Sequence, residues 1–434
     1  MVNNGKPRAT RANGVDRRSF LKATGAGSAA VALAGCTETI SGGGGGVPDT
    51  IKIGAMGPAD ASFGASILNS AKLAAEEMNA DNGIAGADVE VITKDTMDQP
   101  STARTGYQEL TTSDNVHGTV GIFGSEQLLA LMPEIASAQT PHLTAGAATP
   151  KAPEQVAEDY ETNKYWFRVG PVNSVFLGES LVQFAEDRFD SMGWETIAVI
   201  AEDFEWTTPI TDGIKSELED RVGVEVTEVR RVASGTQDFT PVYDQLEAAE
   251  VDGAFTALAH IGVNALVQWA KQQRPFGFGG IHVPTQLPSF YGATEGAAIA
   301  TFSQTTATPT SEVTEKTVPY AEAYNESFDK YPVYSGYSAY DAMYMFKQAV
   351  EATESVNGDD IVSELEGMSY TGTGGQIEFY GQDGEFPHDV KYGPDLSQGV
   401  YFQWQADSEG NGVQETIWPD SLATSEYVPA PWNQ

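Results

Sequence analysis

From Thr50 onward, short runs rich in β-branched residues alternate with segments whose apolar residues recur every three or four positions. That alternation restricts the chain to βαβ units and parallel sheets. Ile51-Lys52-Ile53-Gly54-Ala55 reads as a first strand, and after a Gly/Pro loop Ile67, Ala71, Ala74 and Met78 share one helical face that Asn82-Gly83 brings to a stop. The series continues with a strand Val89 to Thr93, a helix Thr102 to Ser113, a strand Gly118 to Phe123, a helix Leu128 to Ala138 and a strand Pro141 to Thr144.

A second series opens after Tyr165-Trp166-Phe167-Arg168-Val169. It runs through a helix Val175 to Phe189, a strand Thr196 to Ala201, a helix near Thr211 to Arg221, a strand Val224 to Val232, a helix around Phe239 to Ala249, a strand Gly253 to Ala257 and a helix Val263 to Arg274. The last third holds helices at Val318 to Lys330 and Tyr337 to Ala352, then a Gly-rich, β-prone tail with Gly374 to Phe379 and Val400 to Trp404. The predicted class is α/β with one architecture repeated twice, and the late helices point to a return to the first domain. About 385 residues follow the first 49, too many for one ordinary core and comfortable for two.

The N-terminus has a different character. Asp16-Arg17-Arg18-Ser19-Phe20-Leu21-Lys22 precedes a short stretch of small residues ending in Leu33-Ala34-Gly35-Cys36. That stretch is too short to span a bilayer, for which about 20 apolar residues are needed. The paired arginines Arg17 and Arg18 resemble a twin-arginine export signal, and Leu-Ala-Gly-Cys resembles a lipobox that would place lipid on Cys36. Cys36 is the one cysteine in the sequence, so no intramolecular disulfide can form. Five consecutive glycines, Gly42 to Gly46, follow it, a composition that reads as a flexible tether. The expected segments are therefore a signal over 1–35 and a linker over 36–49.

Charge narrows the partners. With 24 Lys and Arg against 61 Asp and Glu, the formal net charge is −37, and such a surface repels nucleic acid phosphates. Acidic residues are spread along the chain while lysine is scarce, a pattern that fits a high-salt medium in which self-repulsion is screened. A calcium-binding protein is the rival reading, but no EF-hand-like loop is present. No cofactor or metal site is expected.

Ile51-Lys52-Ile53-Gly54 with Gly57-Pro58 and Phe63-Gly64, Ala71 to Asn79, Gly121 to Ser125, Tyr165 to Pro171, Ala198 to Trp206, Asp252-Gly253-Ala254-Phe255, Tyr340-Asp341-Ala342 and Gly375 to Phe379 with Gly384 line up, in order, with one family. They resemble the leucine/isoleucine/valine-type, or type I, periplasmic binding proteins of ATP-driven transporters. The resemblance implies two similar lobes, each a parallel sheet flanked by helices, joined by three crossovers and closing on a ligand. The lobes would comprise 50–168 with 307–371, and 169–306 with 372–434. The crossovers would lie near Val169-Gly170-Pro171, Ser303 to Thr308 and Tyr370 to Gly374, segments rich in the residues that absorb backbone change.

Ligands of open α/β sheets bind where strand ends feed helix N-termini, and Ser125 stands at such a point. The resemblance implies that its hydroxyl receives a ligand carboxylate; a plain N-cap role is the alternative. Gly146-Ala147-Ala148-Thr149 matches the family segment that holds an amino acid's polar head, with Ala148 at the threonine position and Thr149 one residue on. Phe63 falls where relatives carry tyrosine, and Trp206 where they carry the tyrosine that covers the ligand; a core role is the alternative for both. Gln286 falls where the family has the carboxylate for the ligand ammonium, which a neutral amide cannot replace. Glu126 is a candidate substitute or simply complements its helix dipole, and His260 is a further strand-end candidate.

The function implied is an extracellular, membrane-anchored, monomeric lipoprotein that captures a small organic solute and delivers it to an ABC transporter permease of the branched-chain amino acid class. A sensory binding protein for a membrane receptor would share the same cleft. An extracellular enzyme is disfavoured, since the sequence has no Gly-x-Ser-x-Gly elbow, no His-Glu-x-x-His pair and no phosphate loop.

Overall fold

The computed structural model describes residues 46–433. Arg17, Arg18, Cys36 and most of the glycine run lie outside the described residues. Two sheets organise the rest. The first is wholly parallel, built from β1 (Thr50–Gly57), β2 (Asp88–Asp95), β3 (Gly118–Gly121), β4 (His142–Thr144) and β5 (Trp166–Arg168) in the order β2-β1-β3-β4-β5. The second contains β6 (Thr196–Glu202), β7 (Glu225–Val232), β8 (Gly253–Leu258), β9 (Gly277–His282) and β10 (Phe302–Thr305), parallel in the order β7-β6-β8-β9-β10. After a short hairpin, β11 (Ser369–Thr371) with β12 (Gln376–Glu378), the chain adds β13 (Val400–Ala406) antiparallel to β10 and β14 (Gly412–Trp418) antiparallel to β13 at the edge. The expected α/β architecture is present, two mainly parallel sheets flanked by helices, with two antiparallel strands on one edge of the second.

The helices follow from the periodicities. Ile67, Ala71, Ala74 and Met78 are all buried on one face of the helix Ser62–Ala80, which packs against the helix Tyr334–Thr353. Asn82 and Gly83 then take positive φ, the left-handed turn that ends such a helix. The late helices Thr317–Phe328, Tyr334–Thr353 and Gly358–Gly367 gather beside the first sheet, and β13 and β14 belong to the second. Residues 379–392 touch both sides: Phe379 meets Phe167 of β5, while Phe386 and Tyr392 pack on Phe176 of the helix Ser174–Met192.

Several expectations need correction. The helix expected near Thr211 to Arg221 is a single turn, Ile214–Glu217, followed by a wider turn, Leu218–Val222; Gly213 at φ +91° interrupts it upstream. The strand expected to reach Phe123 stops at Gly121, because Gly121 (φ +127°) and Ile122 (φ +64°) turn the chain out of the sheet. β9 went unrecognised: Gly277-Phe278-Gly279-Gly280-Ile281-His282 is buried at every position and shows no alternation. Among the described residues no helix is long and apolar enough to cross a membrane.

The turn at Gly121 places the next residues at the strand ends, and its backbone leaves no space for a side chain: a Cβ there would lie 2.2 Å from the Met56 carbonyl oxygen. Gly121→Ala is expected to lower stability by about 2 kcal/mol or more, from the combined clash and strained φ, read as a shift in urea midpoint at constant m-value.

Candidate functional site

The carboxyl ends of the two sets of parallel strands border one cavity, lined from both sheets. From the first sheet come Phe123, Gly124, Ser125 and Glu126 after β3 and Gly146 and Ala148 after β4. From the second come Trp206 after β6, Ala259 and His260 after β8, Ile281, Val283 and Gln286 in and after β9, and Gln304 and Thr306 around β10. Pro171, Leu177 and Tyr334 complete it. The lining is mainly apolar with a few polar groups among it.

Ser125 begins the helix Ser125–Ala138 and is 2% exposed, with its Oγ making no hydrogen bond. It caps nothing, so the hydroxyl and the first N–H groups of the helix are available to a ligand. Its neighbour Glu126 accepts a 3.0 Å hydrogen bond from the Glu205 backbone N–H, joining the β3 end to the β6 end. Lys151 reinforces the same seam with a 2.6 Å ion pair to Glu205. Gln286 also bridges: its Oε1 accepts from the Tyr334 N–H at 3.1 Å and its Nε2 donates to the Gln304 carbonyl at 3.2 Å.

The segment 146–149 is held from behind. Tyr334 Oη donates to the Gly146 carbonyl at 3.1 Å, Arg168 donates to the carbonyls of Ala147 and Thr149, and Ser174 donates to that of Ala148 through both N–H and Oγ at 2.7 Å. Gly146 and Ala148 border the cavity, while Ala147 and Thr149 stand behind it. The Thr149 hydroxyl accepts from the Lys151 N–H at 3.2 Å. Phe63 is likewise one layer back, stacked on Phe123 with ring centroids 3.7 Å apart.

Sequence reasoning missed Glu202. This carboxylate, fully buried at the end of β6, accepts from Trp206 Nε1 at 2.9 Å and from the His260 N–H at 2.8 Å, and it pairs with His260 Nδ1 at 2.7 Å. It therefore fixes two side chains of the cavity wall, and its position after an unbroken apolar strand was the available signal. Burial works to raise its pKa, but the His260 imidazole, Trp206 and the Ala259 N–H outweigh burial and hold it below the usual carboxylate range. For His260, burial disfavours the imidazolium, and Glu202, Asp98 and Glu126 reverse that, so its pKa stands above the ordinary value. Asp98 faces His260 Nε2 at 3.6 Å from the first-sheet side. Gln304 and Thr306, in a segment read as a crossover, and Tyr334, ahead of the helix expected from Tyr337, were also missed. Among the described residues no group of three or more His, Cys, Asp or Glu is arranged to hold a metal.

Residues 50–393 match the periplasmic binding protein family, and residues 14–34 match the twin-arginine translocation signal. The chain belongs to the periplasmic binding protein family and carries a signal for export from the cytoplasm. No curated protein matches the sequence. Solved structures share the fold: a putative branched-chain amino acid ABC transporter protein from Silicibacter pomeroyi (TM-score 0.75, 19% identity, 88% of this chain and 100% of that one), a branched-chain amino acid transporter binding protein from Streptococcus pneumoniae in complex with isoleucine (0.68, 18%, 85% and 100%), and a solute-binding protein of an ABC transporter from Rhodopseudomonas palustris in complex with 3,4-dihydroxybenzoic acid (0.71, 20%, 89% and 100%).

Because its folded pKa is raised, the charged His260 contributes stability that is complete below about pH 6.5 and fades as pH climbs through the raised value. By NMR, the His260 ring of the native protein is expected to titrate above about 6.5, and in Glu202→Gln the midpoint should fall. An unchanged midpoint would show that Glu202 is not the cause.

Proposed function

We propose that this protein captures a small organic solute outside the cytoplasm and hands it to the permease of an ABC transporter of the branched-chain amino acid class. The supporting observation is the cavity between the two sets of strand ends, with a buried, unpartnered Ser125 hydroxyl at a helix N-terminus and hydrogen bonds joining its two sides. A ligand completes such a site, and release requires the Glu126–Glu205 and Gln286–Tyr334 contacts to part. The moving bodies would be the lobes 50–168 with 307–371 and 169–306 with 372–434, turning about the segments between them.

The anchor is part of the reading. Lipid on Cys36, followed by the glycine-rich tether, would keep the body at the outer face of the membrane. The acidic composition suits a high-salt exterior. Branched-chain amino acids and aromatic acids, which relatives of this fold hold, define the first compounds to test.

Purified in high salt, the protein is expected to retain or take up one small molecule, identified by native mass spectrometry, and to melt at higher temperature with it. At ligand concentrations near 100 times Kd the gain is about 2.7 kcal/mol. Trp206→Ala should weaken binding tenfold or more while leaving the ligand-free melting temperature within a few degrees. Turnover of a compound with no ligand-dependent stabilisation would overturn solute capture.

A further inference from the structure

The regulation of the cavity is legible where its two sides meet, an inference that rests on the solute-capture reading. The His260 ring, after β8, is the point of contact. On its own side it stacks on Phe204 with centroids 4.2 Å apart and pairs through Nδ1 with Glu202 at 2.7 Å. From the other side Phe63 and Phe123 meet it edge-on at 5.8 and 5.6 Å, and Asp98, in the loop after β2, stands 3.6 Å from its Nε2. One imidazole is thus held between carboxylates that belong to the two proposed lobes.

Glu126 joins the same cluster, since its charge raises the pKa of both His260 and Asp98. Asp98 stands above the ordinary carboxylate value, because burial, Glu126 and Glu202 outweigh His260 and the 2.9 Å hydrogen bond from Gln127. Closing the lobes would therefore bring Asp98 and Glu126 up to Glu202, gathering carboxylates around one ring. With the ring neutral that approach is repulsive; with the ring charged, Glu202 is already balanced and Asp98 gains a partner. Titrations this close belong to the cluster, and a proton on any member lowers the negative charge being gathered. Parting the lobes returns Asp98 to water and takes it and Glu126 away from the ring. The closed form then binds the proton more tightly than the open one, so its advantage is complete at low pH and is lost as pH rises through the raised His260 value.

The other groups at this seam do not follow pH between 6 and 9. Lys151, paired with Glu205 at 2.6 Å, has its pKa raised above the ordinary lysine value, and the Gln286 brace to the Tyr334 N–H is neutral. His282, which also feels Glu202, is held down to about 4 by burial. Asp341 differs: burial pushes it up to about 7, and it accepts from the Thr373 N–H and hydroxyl in the third expected crossover. A pH profile by itself would not separate Asp341 from His260, whereas substitutions at the seam do.

We propose that His260 and Asp98 form a proton-operated latch: the lobes close as the cluster of His260, Glu202, Asp98 and Glu126 takes up a proton and open as it gives the proton up.

Lobe separation is read in the exported chain without added solute, by electron-resonance distance measurement between spin labels at Lys330→Cys on one proposed lobe and Lys271→Cys on the other, both exposed, with Cys36→Ser removing the other thiol. In about 1 M salt, where the Debye length is about 3 Å, remote surface charges drop out and the part-buried cluster remains. The ratio of closed to open molecules is expected to fall about fivefold or more between pH 6 and pH 9. Asp98→Asn, whose amide oxygen can still accept from Gln127, should flatten that profile to within about twofold, as should His260→Gln; a merely structural role would change closure alike at every pH. A ratio that ignores pH, or a slope that either variant retains, would overturn the latch and leave solute capture standing. A single distance at every pH, unmoved by isoleucine or 3,4-dihydroxybenzoate, would overturn the latch together with capture by closure.

Discussion

Arg168 and Asp389, both fully buried, form the ion pair on which the cavity's geometry rests. Burial disfavours each charge, pushing the guanidinium pKa down and the carboxyl pKa up, and the pair is held by a hydrogen bond at every guanidinium nitrogen and both carboxylate oxygens. Arg168 Nε donates to Asp389 at 2.8 Å, and its terminal nitrogens reach the carbonyls of Ala147 and Thr149. The other Asp389 oxygen accepts from Asn173 at 3.0 Å, and Asn173 in turn caps the helix Ser174–Met192. One charge pair thus ties the end of β5, the 146–149 wall, the start of the next long helix and the late segment at 388–389. Removing either partner would leave an unpaired buried charge, which costs about 3–5 kcal/mol, and would free the wall it holds.

A second buried carboxylate organises the opposite side. Glu202 does for Trp206 and His260 what Arg168 does for the 146–149 carbonyls, and both act from behind the surface a ligand would touch. The chain's scarcity of cations makes this economy visible elsewhere. Arg221 is shared among Glu179, Glu186 and Glu217, and Arg274 between Asp244 and Glu247. Where cations are so thinly spread, a carboxylate without an ion pair, such as Glu126, is what the composition leads one to expect.

The sequence revealed the fold wherever burial was one-sided or the apolar run was long. The helix Ser62–Ala80 and the strand β6 carry their patterns openly. β9 does not, because three glycines replace the side chains that define a period: Cβ atoms at Gly277 and Gly279 would lie within 2.4 Å of Trp194 and Phe302. The edge strand β14 is hidden by its polar Val413-Gln414-Glu415-Thr416 run, which pairs antiparallel to β13. For the site, a strand-end serine before a helix was legible, whereas Glu202, Gln304 and Tyr334 were not. Each of those is defined by partners distant in sequence, as in the 58-residue separation between Glu202 and His260.

Three positions depart from the pattern that the family resemblance implies, and the structure gives each its own setting. Ala148 borders the cavity without a hydroxyl, and the one offered by Thr149 is turned to the backbone of Lys151. Gln286, in place of a carboxylate, has become a brace between the Tyr334 N–H and the Gln304 carbonyl. Phe63, in place of tyrosine, presents no hydroxyl and stacks behind Phe123. Phe63 and Ala148 bring no hydroxyl, Gln286 keeps its amide at the cavity, and the carbonyls of residues 146–149 are braced from behind by Tyr334, Arg168 and Ser174. Under the proposed solute capture, Ser125 and Glu126 at the β3 end would join Gln304 and Thr306 at the β10 end as the polar groups that meet the cargo, with apolar and aromatic side chains supplying most of the remaining wall.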